Sequence, residues 1–273
     1  MLKTASAAKD SLVSVRDDQI IAVLNRVADE IAASFEFILA ENRRDLELLP
    51  DTTHDVFRKR LMLTKDSVAD IAEGVRAVAK LETPRGRIRE DRTLPNGLHL
   101  QKVSVPLGVI GVIYESRPNV TADVFSLCLK SGNVCILKGG KESYHSNLAF
   151  LTIIHHVLDN SQIPQEVVQL LPPDREAVLP LLTARGMVDV IIPRGSKSLI
   201  DFVRQHATVP VIETGAGGVH TYVDADADII MAARIVENAK ISRPAACNAL
   251  DTLLIHQNEL PNLGRIINNL AAA

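Results

Sequence analysis

Tryptophan is absent from the 273 residues, and aromatic side chains of every kind make up only 3%. Val, Ile, Leu and Ala must therefore fill the core, and a core of branched aliphatics suits parallel strands buried on both faces. Cysteine is scarce too. Cys128, Cys135 and Cys247 cannot all pair, which fits a reducing compartment and excludes a disulfide scaffold. No apolar run is long enough to cross a bilayer. The opening Met1-Leu2-Lys3-Thr4-Ala5 has no apolar core of the signal-peptide kind. A dominant charge sign is also missing: 30 basic residues stand against 33 acidic ones, spread along the chain. Without a basic stripe, nucleic acid is excluded as a partner. The expectation is a soluble cytoplasmic protein with no membrane association.

Hydrophobic residues make up 47% of the chain and charged residues 23%, the profile of a globular protein with a sizeable core. From Asp17 to Leu49, Ile20, Val23, Leu24, Val27 and Ile31 recur at helical spacing. A second amphipathic helix is expected near Lys65 to Leu81, with Val68, Ile71, Val75 and Val78 on one stripe. Both read as packing helices. After Pro84 the pattern changes. Leu94-Pro95-Asn96-Gly97 is turn chemistry, and a strand follows through Leu98–Val105.

Short apolar strands then alternate with helices. The strands are expected at Gly108–Tyr114, Val134–Leu137, Val167–Leu171, Val188–Ile192 and Val209–Ile212. The helices fall near Thr121–Lys130, Ser143–Asp159, Arg175–Ala184 and Ser196–His206. Such alternation predicts a parallel Rossmann-like α/β sheet with helices on both faces. Ligands of such sheets sit at the carboxyl ends of the strands. A strand at His220–Val223 ends this unit; the acidic turn after it, a helix through Asn238, the Cys247 segment and a strand at Thr252–His256 read as the start of a second α/β domain. The boundary is expected near Asp224, giving units 1–223 and 224–273.

Several motifs are absent: no G-x-G-x-x-G opens a helix, and Gly139-Gly140-Lys141-Glu142 has neither the spacing nor the hydroxyl of a P-loop. The cysteines and histidines show no metal-ligand spacing, so no metal is expected.

Four segments could carry chemistry. In Tyr114-Glu115-Ser116-Arg117-Pro118-Asn119-Val120, the Asn119 amide could donate to an oxyanion; a Pro-Asn turn capping the next helix is the simpler reading. In Ile136-Leu137-Lys138-Gly139-Gly140-Lys141-Glu142, glycines admit a ligand to the backbone and lysines can meet ribose or phosphate; an ordinary glycine turn explains it equally. In Val211 to Gly218, Glu213 stands at a strand end as a base, a cofactor-positioning group or a solvated acid. In Ser242-Arg243-Pro244-Ala245-Ala246-Cys247-Asn248-Ala249, an electropositive setting favours a thiolate, although most lone cysteines are small buried hydrophobes. Cys128 and Cys135 lie in apolar patterns and read as core.

Taken in order, these segments resemble the glutamate-5-phosphate reductase (gamma-glutamyl phosphate reductase) family, and more loosely the aldehyde dehydrogenase superfamily. The likeness is densest in Pro106–Ser146, Asp189–Asp228 and Asn238–His256. It is carried by Val105-Pro106-Leu107-Gly108-Val109-Ile110-Gly111, by Glu115-Ser116-Arg117-Pro118-Asn119-Val120-Thr121, and by Arg243-Pro244 through Cys247-Asn248-Ala249. The resemblance implies an aldehyde-dehydrogenase-like fold and NADPH-dependent reduction of L-glutamate 5-phosphate to the semialdehyde, in proline biosynthesis. By it, Cys247 is the nucleophile, Asn119 the oxyanion donor and Glu213 the superfamily's loop glutamate. Lys138 meets the cofactor's adenosine ribose beside Gly139 and Gly140, and Gly195-Ser196 lies near its pyrophosphate. From charge and nearness to these motifs alone, Arg117, Arg243 and Lys197 are candidate anchors for the substrate's phosphate or carboxylate, with ordinary surface charge the alternative, more so for Lys197 than for the two proline-flanked arginines.

A homo-oligomer using the arm strand near 94–106, and association with the glutamate 5-kinase that makes the acyl phosphate, are implied in the same way. Other aldehyde dehydrogenase superfamily chemistry and a non-catalytic cofactor-binding fragment are the alternatives. Two departures from the family stand out. Gly218-Val219 precede His220 where the family carries Asn-Cys, and only 26 residues follow Cys247, as in a chain cut short in its catalytic domain.

Overall fold

The computed structural model describes residues 1–213, 218–242, 244, 246, 248–268 and 270. The chain divides into two compact units, Met1–Glu213 and Thr214–Ala273.

The first unit opens with five helices: α1 (Leu2–Ser11), α2 (Asp17–Ala33), α3 (Phe35–Glu47), α4 (Asp55–Leu61) and α5 (Lys65–Lys80). The helical pattern of Asp17–Leu49 is thus two helices, broken at Ser34, which has helix on either side of its own non-helical backbone. Ile20, Val23, Leu24, Val27 and Ile31 of α2 are buried, and α2 packs against α5 through Val68, Ile71 and Val75. Burying each of these aliphatic side chains contributes about 1.5–3 kcal/mol.

A hairpin follows, β1 (Ile88–Thr93) antiparallel to β2 (His99–Val103). Its turn is closed by the Leu94 N–H on the Leu98 carbonyl at 2.8 Å, and Gly97 takes a φ of 87° that a side chain would strain. The expected strand Leu98–Val105 is therefore paired over its middle five residues, with Leu98 closing the turn.

Next come β3 (Val109–Tyr114), α6 (Val120–Lys130), β4 (Val134–Lys138), α7 (Tyr144–Asp159), β5 (Val168–Leu170), α8 (Val178–Leu182), β6 (Val190–Arg194) and α9 (Lys197–His206). The four strands form one parallel sheet in the order β5-β4-β3-β6. Every residue of β3 and β4 is buried, as their unbroken apolar runs require. Helices cover both faces. The Tyr114 hydroxyl meets Thr121 of α6 at 2.8 Å, while Gly111, three residues back and so across the pleat, lies under Leu181 of α8.

Beyond the trimmed ends of β2 and β5 (expected over Val167–Leu171), two more expected elements are much reduced. Val209–Ile212 makes one parallel bridge, Ile191 to Val211, because the Thr208 and Val209 N–H groups are spent on the Leu182 carbonyl and Pro210 has none to give. Over Arg175–Ala184, a 3₁₀ turn at Arg175–Ala177 precedes five α-helical residues.

The second unit is a βαβ crossover: β7 (His220–Val223), α10 (Ile229–Ile241) and β8 (Thr252–Ile255), followed by α11 (Leu263–Ile267). Asp228 caps α10 by accepting from the Ile230 and Met231 N–H groups at 2.9 and 3.0 Å. Val223, Ala232, Val236, Leu250 and Ile266 form its small core.

Candidate active site

Three neighbouring strands end at one place. β3 runs out at Tyr114 into Glu115 and Ser116, β4 at Lys138 into Gly139 and Gly140, and β6 at Arg194 into Gly195 and Ser196. Around these turns lies a cleft of about 860 Å³. Its position at the carboxyl edge of a parallel sheet is the one the strand and helix alternation predicts.

Side chains tie the turns to each other. Glu115 Oε1 accepts the Ser196 N–H at 2.9 Å, joining the exit of β3 to the start of α9. Ser116 Oγ donates to Glu142 Oε2 at 2.5 Å, joining the same exit to the turn after β4. Lys138, only 6% exposed, donates from Nζ to the Gly139 carbonyl at 2.9 Å and the Pro173 carbonyl at 3.0 Å. Burial pushes its ammonium below the ordinary lysine range, and the charges of Asp174 and Glu142 oppose that shift. An ammonium has three donors, and these bonds use two.

Two glycines are needed here because protein atoms fill the place a methyl group would take. A Cβ on Gly195 would lie 2.7 Å from Glu115 Cδ, and one on Gly140 would lie 2.5 Å from Ser116 Oγ. The close approach admitted by these glycines is between turns of the protein itself.

At the start of α9, Ser196 Oγ accepts from the Leu199 N–H at 3.4 Å, and no acidic residue stands in the first turn. A helix start of this kind favours anions. Lys138, Gly139, Gly140 and Ser196 line the cleft, and Gly195 precedes Ser196 at its edge. The residues overlooked as contributors are Glu115, Ser116 and Glu142. Glu115 and Ser116 directly follow the end of β3, and Glu142 follows the Gly139-Gly140 turn after β4; a polar residue just past a buried strand was the one signal they carried.

The other expected residues lie elsewhere. Asn119 occupies the position before α6, but its side chain caps no helix N–H. It donates from Nδ2 to Asp123 Oδ2 at 2.9 Å instead. Burial pushes the Asp123 carboxyl up, and the Asn119 bond opposes that. Arg117 is exposed, and its charge, after burial, lowers the pKa of the Arg60 guanidinium at the end of α4. Lys197 is exposed at the first residue of α9. Glu213 accepts two bonds from Arg204 of α9, from Nε at 3.0 Å and Nη2 at 2.8 Å. Cys247 and Arg243 lie outside the described residues. Lys240 Nζ donates to the Leu250 carbonyl at 2.8 Å, so the ends of their segment are tied together. Cys128 and Cys135 are buried. Among the described residues, no group of three or more His, Cys, Asp or Glu could hold a metal ion, and no helix is long and apolar enough to cross a membrane.

The aldehyde dehydrogenase family model matches residues 2–272. Among curated proteins, a gamma-glutamyl phosphate reductase from Chlorobaculum parvum is 51% identical over 271 residues, covering 98% of this chain and 64% of the relative. Among solved structures, a gamma-glutamyl phosphate reductase from Thermotoga maritima superposes with a TM-score of 0.92 at 35% identity, over 99% of this chain and 66% of that one. A glyceraldehyde-3-phosphate dehydrogenase from Methanocaldococcus jannaschii, solved in complex with NADP, shares the fold at a TM-score of 0.69 and 16% identity, over 99% of this chain and 57% of that one. The chain thus spans 64% and 66% of the length of these two reductases, just under two thirds.

Proposed function

We infer the function of this chain from one premise: it belongs to the aldehyde dehydrogenase family. The reading is a nicotinamide-dependent acyl-phosphate reductase. It converts L-glutamate 5-phosphate to glutamate 5-semialdehyde and phosphate with NADPH, as a step of proline biosynthesis. The observation that carries it is the kinship to gamma-glutamyl phosphate reductases, sustained over nearly the whole chain and through the Cys247 segment.

The cleft suits a dinucleotide by its donor set. Lys138 has an N–H left for a ribose hydroxyl, the mutually bonded Ser196 and Ser198 hydroxyls line the wall, and the Lys197 and Ser198 amides at the start of α9 face a pyrophosphate position. Val178, Leu199 and Phe202 supply apolar wall. When bound, the reduced nicotinamide supplies the hydride.

The remaining chemistry belongs to the chain. The Cys247 thiolate attacks the acyl carbon, a carbon–sulfur bond forms, the carbon–oxygen bond to phosphate breaks, and phosphate leaves with the electron pair. After hydride addition to that carbon, the thiohemiacetal loses the thiolate and gives the aldehyde. Both tetrahedral stages put negative charge on the carbonyl oxygen. An amide donor for it is worth about 3 kcal/mol, and Asn119 is assigned that role. Its amide carries two N–H donors, of which Asp123 takes one. Arg117 and Arg243 are assigned to the substrate's anionic groups, and Glu213 to positioning the nicotinamide or tuning the thiol. The exposed β1–β2 hairpin is the element through which copies would pair, and the kinase that makes the acyl phosphate is the expected partner.

Phosphate- and NADP⁺-dependent oxidation of glutamate 5-semialdehyde, compared between this chain and Cys247→Ala, tests the reading. Activity that disappears with the cysteine is the expected result. Cofactor bound but no turnover in either protein would reduce the reading to cofactor binding alone.

A further inference from the structure

Away from the cleft, a second set of buried polar groups surrounds the first turn of α7. We propose that Asp45 of α3 is a positioning residue for the dinucleotide, acting through the start of α7 and the Gly139–Ser143 turn that leads into it. The proposal rests on the cofactor site assigned above.

A helix start leaves backbone N–H groups without partners, and a side chain just upstream ordinarily accepts from one. Ser143 holds that position before α7, but its side chain accepts from no helix N–H; Ser143 Oγ accepts instead from Asn147 Nδ2 at 3.2 Å. The acceptor comes from far away. Asp45, 2% exposed, takes the His145 N–H on Oδ1 at 3.0 Å. Its Oδ2 takes the Ser146 N–H at 2.8 Å and the Ser146 hydroxyl at 2.6 Å. A carboxylate at a helix start also meets the positive end of the helix dipole.

Asn42, one turn before Asp45 on α3, extends the connection. Its Nδ2 donates to Ser146 Oγ at 3.0 Å and to the Leu61 carbonyl at 2.9 Å, and its Oδ1 accepts from the Leu63 N–H at 2.8 Å. Asn42, Asp45 and Ser146 are all buried. On the side toward the cleft, Asn147 Oδ1 accepts from Thr121 Oγ1 at 3.1 Å, and Thr121 meets the Tyr114 hydroxyl. A Cβ on Gly139 would lie 2.4 Å from Asn147 Nδ2. The first turn of α7 is therefore gripped from two directions. What it holds at its front end is Gly139, Gly140, Lys141 and Glu142, all of which line the cleft. No residue of α3 lines that cleft, so Asp45 acts through α7 rather than by contact.

The experiment measures dinucleotide affinity by titrating NADPH fluorescence on the full chain, beside the melting temperature, for wild type, Asp45→Asn and Ser146→Ala. Val75→Ala, a fully buried core substitution on α5 away from the cleft, is the control. Asp45→Asn keeps the shape and one acceptor oxygen, so the fold is retained. The expected result is affinity about tenfold weaker in Asp45→Asn, a smaller loss in Ser146→Ala, and wild-type affinity in Val75→Ala despite its lowered melting temperature. In turnover, the loss falls on the KM for the dinucleotide and leaves kcat within about twofold. Asp45→Asn that melts lower but binds like wild type, or no more weakly than Val75→Ala, overturns the proposal and leaves the cofactor assignment standing. Wild type that binds no dinucleotide overturns both.

Discussion

Glu115 and Ser196 lie on different strand exits, and beside the Glu115 N–H on the Arg194 carbonyl at 3.2 Å, the Ser196 backbone N–H donates to Glu115 Oε1 at 2.9 Å. Gly195 makes that bond possible, since a side chain there would occupy the carboxylate's place. Glu115→Ala should weaken dinucleotide binding about fivefold, the worth of one partly solvated charge-assisted bond. Gly195→Ala should do the same by displacing Glu115. The double variant should be no worse than either single one, because both remove the same bond. Additive losses in the titration would mean that Gly195 acts on something other than Glu115.

Asp123 offers a test through pH. Its carboxyl is pushed above the ordinary value of 3.8 by burial, with the Asn119 bond opposing. A raised acid pKa means that the folded state holds its proton more tightly than the unfolded state does. Its charge therefore costs stability once pH rises through the folded value. Asp123→Asn keeps an acceptor for Asn119 and removes that charge. At pH 7 the variant should melt about 2 °C higher, and the difference should vanish below about pH 4. A constant difference across that range would show that charge is not the cause.

The three cysteines should separate by reactivity. Cys128 and Cys135 are buried, and the Cys135 thiol is pushed up by its hydrogen bond to Cys128 and by burial. Native protein treated with iodoacetamide should take the label at Cys247 first. The Cys247→Ala variant should take none until it is denatured and then label at both remaining thiols. Native labelling of Cys128 or Cys135 at a comparable rate would contradict the packing of α6 on β4.

The parallel sheet was legible in the sequence because β3 and β4 are buried on both faces and so carry unbroken apolar runs. The cleft was legible because the alternation of strands and helices places every strand exit on one edge. The residues that tie the exits together were not. Glu115, Ser116 and Glu142 look like solvated polar residues until the strand order β5-β4-β3-β6 puts their turns side by side. The break at Ser34 was hidden because apolar periodicity continues across it, and α4 because seven residues carry too short a pattern. Pro210 was the visible sign that Val209–Ile212 would pair poorly, since a residue without an N–H cannot donate to a ladder. Asn119 was legible as a helix-start residue, yet the use of its amide on Asp123 depends on the burial of both.

The cap on α7 has a consequence for how the chain acquires its structure. Asp45 and Ser146 are 101 residues apart, so the helix start they complete depends on closing a long loop. Contacts of that span form late, after local helices and nearest-neighbour packing. During synthesis α3 emerges well before α7 and waits with its acceptor in place. The turn that bounds the cleft is thus among the last parts to settle, and a chain halted before residue 146 would have α1 to α6 but no Ser146 with which to complete the start of α7.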